Sequence, residues 1–155
     1  MIPWELKILQ KSVYLTVDVF FVNKIPFLLT DSRKINFTTV SHLPNQKAET
    51  IFNAFKIVFR FYMQRNFRIT TAAGYGEFLP LKPMIEGMPA GPFCNIASTE
   101  EHVPGPERRI WVAKERFRSY RHSLPFRRLP VLMVIVPLLA IGRMLNFLPN
   151  CRRHF

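Results

Sequence analysis

Acidic residues are scarce in this chain. Ten Asp and Glu stand against 22 Lys and Arg over 155 residues, a formal charge of +12. Such an excess calls for an anionic partner, with nucleic acid first and an acidic membrane surface second. Cysteine is nearly absent: Cys94 and Cys151 provide no disulfide framework and suit a reducing compartment. His42, His102, His122 and His154 are scattered without paired Cys/His spacing, which argues against a zinc finger or zinc knuckle. The first residues, Met1 to Lys7, lack the basic-then-apolar order of a signal peptide. No internal repeat, low-complexity linker or composition break divides the chain, so residues 1–155 read as one domain. Hydrophobic residues make up 48 % and include fifteen Phe, enough to build a core and to exclude disorder.

The longest uncharged stretch, Leu129 to Gly142, has fourteen residues, is interrupted by Pro137 and is ended by Arg143. A spanning helix needs roughly 17–25 apolar residues, and shorter runs are more often core. Arg127 and Arg128 on one side and Arg152 and Arg153 on the other leave no charge asymmetry to orient a span.

Val13 to Val22 is β-branched and aromatic and predicts a strand buried on both faces. Asp18 sits in its middle, where an acid is costly unless paired, hydrated or bound to metal. Asn23–Lys24 predicts a tight turn into a strand from Ile25 to Thr30. Asp31 to Lys34 predicts a second turn into a strand from Ile35 to Val40, completing an antiparallel meander. Beyond Pro44, the stripe Ala48, Ile51, Phe52, Phe55, Phe59 and Tyr62 predicts an amphipathic helix, with Glu49, Asn53, Lys56, Arg60 and Gln64 opposite and Arg65 in its last turn. A strand from Phe67 to Ala73, a short poorly formed helix from Pro80 to Met88 and a strand from Phe93 to Ala97 follow. The order predicts an α/β fold, a mixed five-stranded sheet with helices packed on it, in the ribonuclease-H-like arrangement. An apolar helix from about Pro130 to Phe147, kinked at Pro137, ends the chain.

The run from Glu107 to Arg128 carries eight Lys and Arg against two Glu. Ile110, Ala113, Phe117 and Tyr120 make one apolar stripe of a helix entered through Pro106. Glu107, Trp111, Lys114, Arg118 and Arg121 share another face, whereas Arg109 and Arg116 lie well round the cylinder. One carboxylate at the start of a basic helix suits a metal ion meeting a nucleic-acid backbone. On this run alone the simpler reading, a solvated face whose Glu107 favours the positive helix N-terminus, comes first.

Several segments in order carry a family likeness: Val17 to Phe27, Ser32 to Ile35, Pro44 to Ala48, Gly76–Glu77–Phe78 with Pro80–Leu81, and Glu101 to Pro104. Glu107–Arg108, Lys114 to Arg116, Leu124 to Arg128 and Leu145 to Pro149 continue it, so that it covers roughly residues 13–150. In these the chain resembles the integrase catalytic core of long-terminal-repeat retrotransposons, of the copia-like group. The resemblance implies a ribonuclease-H-like fold and an Asp-Asp-Glu triad holding two Mg²⁺ or Mn²⁺. Such ions stabilise the attacking and leaving oxygens of a phosphodiester strand transfer. It implies DNA as partner, multimers and a nuclear location, with no membrane. Position by position the triad falls on Asp18, Tyr75 and Glu107, separated by 57 and 32 residues. Asp18 and Glu107 are thus the catalytic and metal-binding candidates, and Lys114, Arg118 and Arg121 the DNA-binding ones. Three positions depart from the pattern. Tyr75 stands where the family has Asp, and a phenol with a pKa near 10 is no carboxylate at neutral pH. Glu77 offers a substitute if the strand continues to it. Gly105–Pro106 replaces a Glu and an aliphatic residue, and Pro137 falls inside a helix.

These departures predict a decayed integrase core that keeps fold and DNA-binding surface with little or no strand-transfer activity, and with weak or absent metal binding. Neither a His/Cys zinc domain nor a polymerase is seen alongside it. Two rival readings stand: a small basic membrane-associated protein anchored by residues 129–148, and a non-functional reading frame whose weak points are Pro106 and Pro137.

Overall fold

The β-branched run around Asp18 becomes the central strand of a five-stranded open sheet in the computed structural model, which describes residues 11–32, 34–97 and 106–147. Strand β1 (Ser12–Val22) turns at Asn23 and Lys24, whose φ of 49° and 65° match the twist of a two-residue hairpin. β2 (Ile25–Ser32) returns antiparallel, with Asp18 opposite Leu29, and β3 (Phe37–His42) pairs antiparallel with β2. Helix α1 (Ala48–Gln64) crosses to β4 (Arg68–Gly74), which runs parallel to β1. A 3-10 helix (Gly76–Leu81) and the short α2 (Lys82–Glu86) lead to β5 (Phe93–Ile96), parallel to β4. The basic helix α3 (Pro106–Ser123) and the apolar α4 (Val131–Met144) follow, and the sheet order is β3-β2-β1-β4-β5. The expected meander extended by two further strands is the sheet observed.

Strand alternation sorts the core into two layers. Val13, Leu15 and Val17 of β1 face α1, the 3-10 helix and α2 through Ile51, Phe55, Phe78, Leu81 and Ile85. Phe20 and Val22 face the other way, against Ala113 and Phe117 of α3 and Val134, Leu138 and Ile141 of α4. Asp18, in phase with Phe20, therefore belongs to the α3 side. Helix α4 lies close on β3. A Cβ on Gly142 would come 2.7 Å from Cγ2 of Val40, so this contact requires glycine. Just beyond α4, the Asn146 amide bonds both ways with the Thr38 backbone. It accepts from the Thr38 N–H at 2.7 Å and donates to its carbonyl at 2.8 Å.

Several expectations need correction. β1 is buried on both faces only at its middle, since Tyr14 and Phe21 are exposed. Asp31 and Ser32 do not turn: they are buried in β2, and the turn falls on residues 34–36, where Asn36 takes φ 56°. Ile35 is a turn residue, and β3 starts two residues later than expected. Arg65 lies past the end of α1, its guanidinium over the Phe61 ring. α4 is shorter than expected and runs through Pro137 as one helix. Met1 to Lys7, Arg33, Glu101 to Pro104, Gly105, Leu148–Pro149, Cys151 and Arg152–Arg153 lie outside the described residues. Among the described residues no helix is long and apolar enough to cross a membrane.

Candidate functional site

Asp18 stands two residues beyond Thr16, the last position at which β1 pairs with β4. Here the two parallel strands part, and the carboxyl ends of parallel strands are where open α/β sheets place their ligands. β4 stops at Gly74, and the chain folds back tightly. A Cβ on Gly74 would sit 2.7 Å from the Phe78 ring, so a larger residue would push the 3-10 helix away. This turn, and not a continuation of the strand, carries Glu77 to Asp18.

The Glu77 carboxyl lies beside that of Asp18, near enough to act on its ionisation. Burial, first, and then the neighbouring Glu77 carboxyl push the Asp18 pKa up from 3.8 to about 6, with a smaller contribution from the Glu107 charge. The Val19 N–H, donating to Asp18 Oδ1 at 2.8 Å, opposes the rise. Asp18 thus keeps its proton into weak acid.

Glu107 lies exposed in the first turn of α3, where its charge complements the helix dipole. Its Oε1 accepts a hydrogen bond from the Tyr75 hydroxyl at 3.3 Å. Tyr75 and Glu107, which the resemblance alone sets at the second and third positions of a triad, therefore meet. Asp18 feels Glu107 through charge alone. No three His, Cys, Asp or Glu side chains among the described residues converge closely enough to hold a metal ion. Charges interact over many ångströms, whereas Mg²⁺ needs oxygens at about 2.0–2.1 Å. The oxygen donors have the right chemistry for Mg²⁺ or Mn²⁺, but as placed they do not fit a pair of ions.

Further along α3, Trp111, Lys114, Arg118 and Arg121 are all exposed on the face of Glu107, while Ala113 and Phe117 are buried against the sheet. Arg118 makes an ion pair with Glu115 one turn away. Arg109 points inward instead. Its Nε lies 3.8 Å from Asp31 Oδ1, and it donates to the Asn36 side chain. Asp31, only 5 % exposed, also accepts from Thr38 Oγ1 at 2.8 Å. Sequence reasoning missed this support for the start of α3, because Asp31 and Asn36 carry ordinary turn signals and their partner lies on a distant helix. The chain matches no model of a known protein family, and a search of curated proteins finds no similar sequence.

Proposed function

We propose that this chain is a ribonuclease-H-like core of the retrotransposon-integrase kind that binds DNA and has lost strand transfer. The hydrogen bond from Tyr75 to Glu107 carries the reading, because it joins the two positions that the resemblance makes neighbours and places a neutral phenol between them. The strand order and the place of Asp18 on the central strand support it. Tyr75 adds bulk where the middle carboxylate would stand and engages one oxygen of Glu107. Asp18 and Glu77 engage each other. What remains is a basic face: Lys114, Arg118 and Arg121 meet backbone phosphates, which position DNA without reading its sequence.

Two measurements test this. In thermal-shift titrations with millimolar Mg²⁺ or Mn²⁺, Tyr75→Asp gains a metal-dependent rise in Tm and detectable Mn²⁺-dependent strand transfer, and the parent chain gains neither. A clear rise in the parent would mean that Glu77 has assumed the middle acid's role and that the core is live. For DNA, replacing Lys114, Arg118 and Arg121 by Ala weakens duplex binding and flattens the salt slope by roughly two to three units. An equal effect from Arg109→Ala with Arg116→Ala would mean diffuse attraction to net charge.

A further inference from the structure

Helix α4 is apolar on every side until Arg143 in its last turn. Val134, Leu138 and Ile141 are buried against the sheet, which accounts for one side. On the opposite side Leu132, Val136, Ala140 and Arg143 recur every three or four residues, all exposed, and exposed Phe147 follows in the turn beyond. Leu132, Val136 and Phe147 are 70 %, 61 % and 86 % accessible. A surface helix ordinarily turns polar residues outward, as α3 does with Glu107, Lys114 and Arg118. Isolated exposed apolar residues need no account, but a continuous stripe marks an interaction surface.

The charges around the stripe have one sign. From Arg116 to the end of the chain there is no Asp or Glu. Exposed Arg127 and Arg128 precede the stripe and Arg143 lies near its far end. Apolar side chains framed by arginines fit an anionic lipid surface, where the former enter the acyl boundary and guanidinium groups stay at headgroup level. A second copy of the chain fits poorly, because a two-fold antiparallel contact through α4 sets Arg143 of one chain against Arg127 and Arg128 of the other. Nucleic acid would satisfy the arginines and leave the leucine–valine stripe in water. At fourteen residues α4 is about 21 Å long, less than the roughly 30 Å hydrocarbon core, so it can lie along a bilayer and cannot cross one. We propose that the outer face of α4 docks this domain peripherally on anionic bilayers, independently of the basic face of α3.

The test is co-sedimentation of the full chain with phosphatidylcholine vesicles, with and without phosphatidylserine. Three arginines at about fivefold each predict binding on the order of a hundredfold tighter when phosphatidylserine is present. Leu132→Gln with Val136→Gln keeps helix propensity and touches no buried contact, and it should weaken binding at least about tenfold while leaving the melting transition in place. Leu132→Gln alone serves as a milder second variant. Equal binding to both vesicle types overturns the proposal. So does binding that ignores the glutamines, which would reflect net charge alone. A parent chain that sediments as a dimer and becomes monomeric on Leu132→Gln with Val136→Gln would assign the stripe to a second copy instead.

Discussion

Replacing Asp18 by Asn removes a proton-binding group from a place where burial and two neighbouring carboxylates oppose its ionisation. In the folded chain its pKa is about 6, against an ordinary 3.8. Between those values the native state keeps a proton that the unfolded chain has lost. The stability contributed by this proton is complete below about pH 3.8 and is lost as pH rises through about 6. A shift of about two units corresponds to about 3 kcal/mol at full strength. The side chain is partly open to solvent, and screening leaves about 1–2 kcal/mol. Asn keeps the acceptor for the Val19 N–H and offers Glu77 a donor without a second charge. At pH 8 the Asp18→Asn chain should therefore exceed the parent by about 1–2 kcal/mol, or roughly 3–6 °C in Tm, and the two should converge near pH 4. Thermal melts at fixed ionic strength across that range measure the gap. A variant no more stable than its parent at pH 8, or a gap of the same size at pH 4, refutes the reasoning.

Arg109→Ala strips nearly buried Asp31 of its guanidinium neighbour and should cost about 1–3 kcal/mol in urea unfolding, with the DNA salt slope changed by less than about one unit. A larger slope change would place Arg109 on the phosphates. Gly142→Ala gains about 1 kcal/mol of helix propensity and loses about 1–3 kcal/mol to the clash with Val40, a net destabilisation that Val40→Ala in the same chain should relieve. If the double variant is no better than the additive sum, α4 does not rest on Val40. Pro137→Ala restores a backbone donor inside α4 and should stabilise by about 1–3 kcal/mol, as read from the urea midpoint. A loss instead would show that the pyrrolidine ring packs favourably.

Local chemistry made most elements legible. Asn23 and Lys24 announced a tight hairpin, and the Ile51–Phe55–Tyr62 stripe announced α1, because turn backbone and helix period are written in neighbouring residues. The stripe Ile110–Ala113–Phe117–Tyr120 located the inner face of α3 for the same reason. Errors fell where the deciding partner is remote. Asp31–Ser32 has turn composition, yet Thr38 on β3 and Arg109 on α3 make a buried acid tolerable and let β2 run on. The meeting of Tyr75 with Glu107 followed from resemblance and not from pattern. The approach of Glu77 to Asp18 was readable only as a condition on a continuing strand, and the route it takes was not, because it depends on a backbone reversal that the Gly74–Phe78 contact permits.

The two-way bond between Asn146 and Thr38 also bears on how this molecule meets its own kind. β3 is an outer strand of the sheet, and an outer strand presents main-chain donors and acceptors that another polypeptide can zip onto. The Asn146 amide has the same donor-and-acceptor layout as a peptide group, so it answers Thr38 as a single rung of a sixth strand would. With α4 lying over β3 as well, that border is spoken for. The opposite border, β5, is four residues long and offers little to extend. A chain this rich in phenylalanine is thereby steered away from templating fibrils along its sheet. Asn146→Ala would reopen the border, and it should bring forward the onset of thioflavin-positive aggregation in agitated solution.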